Sequence, residues 1–266
     1  MKIIDCFIFY NELDILKMRL KELDDVVDHF VLVESNVSFS NKKKILFFEK
    51  NQSLFKDYQH KIVHIVIDNM PPNRFWRSNS RSAWMRQELQ RNSIARGINK
   101  LSPSPNDLII LSDADEIPDS QTLINLKKTG LTKMANLNQD MYYYNLSCKH
   151  KKKWTLPIVS SFQQIQPHIE NLHQLRIERS TMNNKTVIDK GGWHFSYFGG
   201  TDAIINKMQN ISAHTEIDKN EFTNRENIEQ SIRRGVDLLH RENSAGFQKI
   251  NPENNGYLPK NYFMLL

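Results

Sequence analysis

The chain has 266 residues, 39% hydrophobic and 10% aromatic, which excludes a disordered chain and supplies apolar surface for a full core without staples. Its formal charge of +6 suits nucleic acid, anionic lipid or a phosphorylated ligand and equally suits ordinary solubility, so charge selects no function class. Two cysteines, Cys6 and Cys148, form no disulfide framework and favour a reducing compartment, and no segment approaches the roughly 20 apolar residues that cross a bilayer.

Ile3 to Tyr10 is a short apolar run that predicts a buried strand, and it turns acidic too soon for a signal peptide. From Glu12 to Leu23, apolar residues at Leu13, Leu16, Leu20 and Leu23 have helical spacing. His29 to Glu34, Ile62 to Asp68 and Asp107 to Ser112 predict three more buried strands, with a long helix from about Asn79 to Lys100 before the last. Met141 to Leu146 reads as a strand, and Lys149 to Lys153 as a solvated basic run. Helices are expected after Thr201 or Asp202, with Ile204, Met208 and Ile211 on one face, and from Arg225 to about His240. Residues from 243 onward read as an irregular tail. The alternation predicts an α/β fold with a Rossmann-type, mostly parallel central sheet flanked by helices. With no internal repeat, one domain over 1–266 is expected, made of a first half (1–118), a second half (119–242) and the tail (243–266).

In such sheets ligands bind beyond the carboxyl ends of the strands. Three strand ends are polar there: Tyr10-Asn11-Glu12, Glu34-Ser35-Asn36 and Ser112-Asp113-Ala114-Asp115-Glu116. The last places three carboxylates within four residues at a turn closed by Pro118. Clustered carboxylates repel and are costly to desolvate unless a cation joins them. Mn²⁺ or Mg²⁺ answers that need with oxygen ligands and substrate phosphates, and neutralises charge on a leaving diphosphate. In the preceding helix Ala83, Trp84, Ile94, Ala95, Ile98 and Leu101 share a face into which Gln87 and Arg91 also fall. A charge on a core stripe needs a partner, so Arg91 is expected on a phosphate or on a buried carboxylate such as Glu34 or Asp113.

Residues 5–14 (DCFIFYNELD), 19–23 (RLKEL), 30–35 (FVLVES), 84–91 (WMRQELQR), 109–118 (IILSDADEIP), 191–196 (GGWHFS) and 212–216 (SAHTE) form a series of motifs along the chain. Together they resemble glycosyltransferase family 17. The resemblance implies a GT-A-like fold, a divalent metal, a UDP-sugar donor (UDP-GlcNAc first) and inversion at the anomeric carbon. It leaves the acceptor open among a glycan, a lipid-linked sugar, a protein and a modified nucleic acid. The family's eukaryotic enzyme is membrane-anchored, whereas this sequence has no anchor, so a soluble cytoplasmic protein of microbial or viral source is expected.

Within the resemblance Asp115 is the expected metal ligand, and Asp113 meets the metal through water or the donor's ribose. An octahedral ion needs more ligands than the acidic run supplies, so His194 or His214 is expected to complete the shell. His194 is preferred because Gly191 and Gly192 before it permit close backbone approach. An inverting transfer needs one general base. The candidates are Glu216, Asp202 and Glu116, with Glu216 first and Asp202 also readable as a helix cap. Arg86 and Arg91 are candidates to neutralise the diphosphate, with Gln87 beside them. Asn11, Glu12 and Glu34 sit where a nucleoside docks, and Trp193 either stacks on the ligand or packs in the core.

Two other readings compete. A metal-dependent nucleotidyltransferase would carry a Gly-rich phosphate loop after the first strand, which Tyr10-Asn11-Glu12 lacks. A non-catalytic nucleic-acid-binding protein would show a basic stripe or recognition motif, whereas the basic residues here are scattered.

Overall fold

The structure is a computed structural model and describes residues 1–73, 78–210, 219–241 and 246–266. The elements in chain order begin with β1 (Ile3–Ile8), α1 (Leu13–Leu23), β2 (His29–Ser35), α2 (Phe47–Lys50), β3 (Ile62–Ile67), α3 (Asn79–Asn92), α4 (Ile94–Leu101) and β4 (Leu108–Asp113). Then follow β5 (Glu116–Pro118), α5 (Ser120–Thr129), β6 (Ala135–Tyr143), β7 (Cys148–His150), β8 (Ile158–Ser161), α6 (Phe162–Ile165) and α7 (Leu172–Thr181). The described chain closes with β9 (Thr186–Ser196), α8 (Gly200–Asn210), α9 (Lys219–Phe222), α10 (Arg225–Arg234) and β10 (Phe247–Lys249). Among the described residues no helix is long and apolar enough to cross a membrane.

The strands form one sheet of order β10-β7-β6-β8-β4-β1-β2-β3, with β9 beside β6 and β5 paired to β9. β4, β1, β2 and β3 are parallel, as expected, and β9 runs parallel to β6 over a long ladder. β5, β7, β8 and β10 extend the sheet through antiparallel pairs that the α/β pattern did not predict. Phe247–Lys249, inside the expected irregular tail, is one of these strands because it pairs with Cys148–His150.

Strand alternation divides the core. Ile3, Phe7, Leu108 and Ile110 pack on one face with α1 and α5, while Ile4, Cys6, Ile8, Ile109 and Leu111 pack on the other with α4 and α7. At the end of β4 the same alternation turns Ser112 toward α1 and Asp113 toward α3 and α7. Gly97 allows α4 to lie on β2, since a Cβ there would stand 2.3 Å from a Val31 methyl.

The helices differ from expectation in two boundaries and one buried face. The long helix breaks at Ser93, whose Oγ bonds the Leu89 carbonyl at 2.8 Å, a local competition typical of serine. The helix expected to reach His240 stops at Arg234 because Gly235, at φ +65, makes a left-handed cap. Trp84, assigned to the core face of the long helix, is 42% exposed and lines the cleft described below.

Candidate active site

The acidic run is built around one guanidinium. Arg19 projects from the buried stripe of α1 and is 0% exposed. It makes a two-pronged pair with Asp5 of β1, at 2.8 and 2.6 Å. Its Nη1 donates to the carbonyls of Asp113, Ala114 and Glu116 at 2.9, 3.1 and 2.9 Å, and its Nη2 to Ser112 Oγ at 2.6 Å. The turn between β4 and β5 is therefore held from beneath, and its carboxylates project above.

Each carboxylate meets a different environment. Glu116 is 1% exposed and both its oxygens are engaged. Trp154 Nε1 donates to Oε1 at 2.6 Å, Arg176 of α7 pairs with the same oxygen, and the Asp113 amide donates to Oε2 at 2.7 Å. Asp113 lies between Arg91 Nη2 at 2.7 Å and Arg176 Nη2 at 3.4 Å. Burial pushes its carboxyl up, and the two arginines outweigh burial and hold it below the usual range. Asp115 faces Lys207 Nζ of α8 at 2.8 Å and His194 Nε2 at 3.7 Å. Burial raises its carboxyl too, and Lys207 with His194 overcomes it and keeps the group ionised far below the ordinary value. Lys207 answers in kind: burial lowers its ammonium, but Asp115 and Glu12 raise it above the ordinary lysine range.

A cleft of about 280 Å³ opens over these groups. Asp113, Asp115, Glu116, His194 and Lys207 form its polar floor. Tyr10, Phe39, Trp84, Gln87 and Gln90 form the wall at the ends of β1 and α3, and Tyr143, Trp154, Tyr197 and Arg241 form the opposite wall. That is an apolar, aromatic enclosure with a few convergent polar groups, the usual make-up of a small-molecule site. It lies beyond the carboxyl ends of β1 and β4, as the fold rule requires.

Of the residues singled out from sequence, Glu12, Gln87, Asp113, Asp115, Glu116 and His194 come together at this cleft. Arg91 pairs with Asp113, one of its expected partners, and with His173 Nδ1 at 2.6 Å. Asn11 lines an adjoining cavity. Four others are placed elsewhere. Glu34 is buried beneath α2, where the Phe48 amide donates to it at 3.1 Å and Lys44 and His64 approach at 3.6 and 3.3 Å. Arg86 spends its guanidinium on the Phe39 and Pro71 carbonyls and on Asn73 Oδ1, at 2.8, 2.9 and 2.9 Å, and so ties loops together. Trp193 is 2% exposed and packs in the core against Tyr257, because alternation along β9 sends it to the face opposite His194. Asp202, with a side chain 83% exposed, pairs with Arg225 on the first turn of α8. His214 and Glu216 lie outside the described residues.

Arg19, Trp154, Arg176 and Lys207 were not picked from the sequence. A signal existed for three of them. Arg19 sits within the apolar stripe of α1, Arg176 follows Leu172 and Leu175 on α7, and Lys207 lies beside Ile204 and Met208 on α8. Each is a charge on a buried helical face and so demands a partner. Nothing in the local pattern marks Trp154.

His194 reaches the floor through β5 and β9, which pair Glu116 with His194 and Ile117 with Trp193. Gly192, at φ +122, makes that approach possible, since a Cβ there would lie 2.1 Å from the Ile117 carbonyl oxygen. The His194 ring lies against Trp154 with centroids 4.6 Å apart. The Asp115 carboxylate and His194 Nε2 converge, and the carboxylate is the kind of oxygen donor that suits Mn²⁺ or Mg²⁺. Among the described residues no third His, Cys, Asp or Glu joins them. An ion held there would take its remaining ligands from phosphate oxygens and water, the usual arrangement for small divalent ions.

A family model described as glycosyltransferase family 17 matches residues 1–250. The β-1,4-mannosyl-glycoprotein 4-β-N-acetylglucosaminyltransferase of Rattus norvegicus is 30% identical over 130 residues, which is 47% of this chain and 23% of the relative. The Homo sapiens protein of the same description is 30% identical over 47% of this chain and 24% of its own length. The aligned region thus spans about a quarter of these relatives. A solved structure, the bifunctional IspDF of Campylobacter jejuni, overlaps 79% of this chain and 54% of its own at 10% identity with a TM-score of 0.34.

Proposed function

The chain belongs to glycosyltransferase family 17 and is a glycosyltransferase, and we propose that it moves a sugar, N-acetylglucosamine first, from a UDP-sugar to an acceptor hydroxyl with inversion and with the help of Mn²⁺ or Mg²⁺. The observation that carries this reading is the pairing of Asp115 with Lys207 and His194 on the floor of an aromatic cleft. Asp115 and His194 would hold the divalent ion, which when bound acts as a Lewis acid toward the diphosphate. The chain's own residues do the rest. Lys207 supplies a fixed positive charge where the leaving diphosphate gathers negative charge, a preorganised form of transition-state stabilisation. Tyr10, Phe39 and Trp84 offer faces for the base. Arg91 and Arg176 hold Asp113 ionised and immobile, so that it can accept hydrogen bonds from the donor's hydroxyls. The relatives are β-1,4-mannosyl-glycoprotein 4-β-N-acetylglucosaminyltransferases, which makes a mannosyl glycoside the first acceptor to try.

A donor screen tests this reading. The protein is incubated with individual nucleotide sugars and Mn²⁺, and release of nucleoside diphosphate is measured. UDP-GlcNAc is expected to give the fastest release. If no nucleotide sugar binds or turns over with any divalent ion, the reading fails.

A further inference from the structure

A second cavity, of about 350 Å³, adjoins the cleft, and the two share Glu12, Asp115 and Lys207 as a common wall. One side of it is apolar: Ile15, Phe198, Met264 and Leu265. The other is polar: Asn11, Glu12 and Asp14. Its charged lining is three carboxylates against one ammonium, and that ammonium already faces Asp115 at 2.8 Å. Such a cavity repels phosphate and carboxylate groups. It suits a molecule with an apolar C–H face to lie on Phe198 and with hydroxyls to donate to carboxylates, which is an uncharged sugar ring.

The carboxylates that line the cleft are not equivalent. Glu116 is saturated, Asp113 is fixed between two arginines, and Asp115 is taken by Lys207 and His194. Glu12 has one oxygen fixed, since Oε2 accepts from the Tyr10 and Asn11 amides at 3.2 and 3.0 Å. Among the described residues no hydrogen bond reaches its Oε1. Glu12 lines both cavities, and a carboxylate anchored by one oxygen at the wall between two joined cavities has a place suited to a general base.

Building on the donor reading above, we propose that the second cavity binds the acceptor as an uncharged glycoside and that Glu12 is the catalytic base. Glu12 Oε1 takes the proton of the acceptor hydroxyl as that oxygen bonds to the donor's anomeric carbon. The bond from that carbon to the diphosphate oxygen breaks, and its electron pair leaves with the nucleoside diphosphate beside Lys207. The proton on Glu12 then passes to water. Attack from the side opposite the leaving group inverts the anomeric carbon.

The test uses the full chain with UDP-GlcNAc and Mn²⁺. The acceptor panel holds methyl glycosides of mannose, N-acetylglucosamine, glucose and galactose, a sugar phosphate and an oligonucleotide, with product read by mass. At least one neutral glycoside is expected to accept, and neither charged acceptor. With the best acceptor, Phe198→Ala should raise acceptor KM about tenfold, the loss expected for one apolar contact. Glu12→Gln should lower kcat by about 10²-fold or more. UDP affinity, read by calorimetry, should stay within about twofold for both variants, a bound set by the ~1.4 kcal/mol that a full tenfold change would require. Transfer only to the sugar phosphate or oligonucleotide, or to nothing in the panel, overturns the proposal. So does a fall in UDP affinity in either variant with acceptor KM and kcat unchanged, which would make the second cavity part of the donor site. If the wild-type chain fails to bind UDP, it is the donor reading beneath that falls.

Discussion

The two sides of the acidic turn hold their carboxylates in opposite ways. On the side of α3 and α7, Asp113 and Glu116 are locked by Trp154 and by Arg91 and Arg176, whose guanidinium groups are themselves buried. On the side of β9 and α8, Asp115 meets an ammonium and an imidazole that both line open space. Guanidinium forks give fixed, multidentate partners, whereas an ammonium on a flexible stem is a point charge that can exchange its partner for a ligand. The first side therefore holds the turn in shape, and the second side is where an incoming cation or diphosphate can compete.

The largest effect should come from removing what both sides share. Arg19→Met leaves Asp5 buried without its partner and releases three carbonyls, and should cost about 3–5 kcal/mol of stability, as breaking a buried pair does. Urea unfolding measures it, and a cost under about 1 kcal/mol, the surface-pair range, would show that the turn does not depend on Arg19. Next, Arg176→Ala should cost about 3 kcal/mol because Glu116 is left charged and buried. Lys207→Ala, on the open side, should cost about 1 kcal/mol of stability while weakening UDP binding about tenfold, the loss of one charge-assisted contact. Equal stability losses at Arg176 and Lys207 would erase the distinction between the sides.

The same contrast explains what was legible in the sequence. β1, β2 and β4 are apolar runs buried on both faces, so their pattern and the polar ends at Tyr10 and Ser112 could be read directly, and the half-buried edge strand β3 still carries enough β-branched residues to be read with them. The acidic run could be read because its charges are consecutive. The antiparallel strands β5, β7 and β10 are three residues each, too short for a period to emerge, and they depend on partners distant in sequence. The pairing of Glu116 with His194 across β5 and β9 is of that kind. Arg176 and Lys207 come from helices far along the chain, and which carboxylate each would meet depends on how α7 and α8 cross the sheet. Arg91 was closer to legible because Asp113, its partner, ends the very next strand.

Acid gives a separate test of the locked side. Burial and the neighbouring Arg91 push His173 down to about 4, whereas in the unfolded chain it titrates near its ordinary value of about 6.5. Between those values the unfolded chain binds more protons, so stability is intact above about pH 6.5 and falls as pH drops toward 4. His173→Gln should flatten stability against pH across that window, as measured by thermal melting. An unchanged slope would remove His173 from the acid sensitivity of the locked side.

The account turns on Asp115 as the exchangeable carboxylate of the pair. UDP binding measured by calorimetry with and without Mn²⁺, for the wild-type chain and Asp115→Asn, tests this most directly. Mn²⁺ should tighten UDP binding in the wild-type chain and have no effect in Asp115→Asn. The same Mn²⁺ enhancement in both would contradict it.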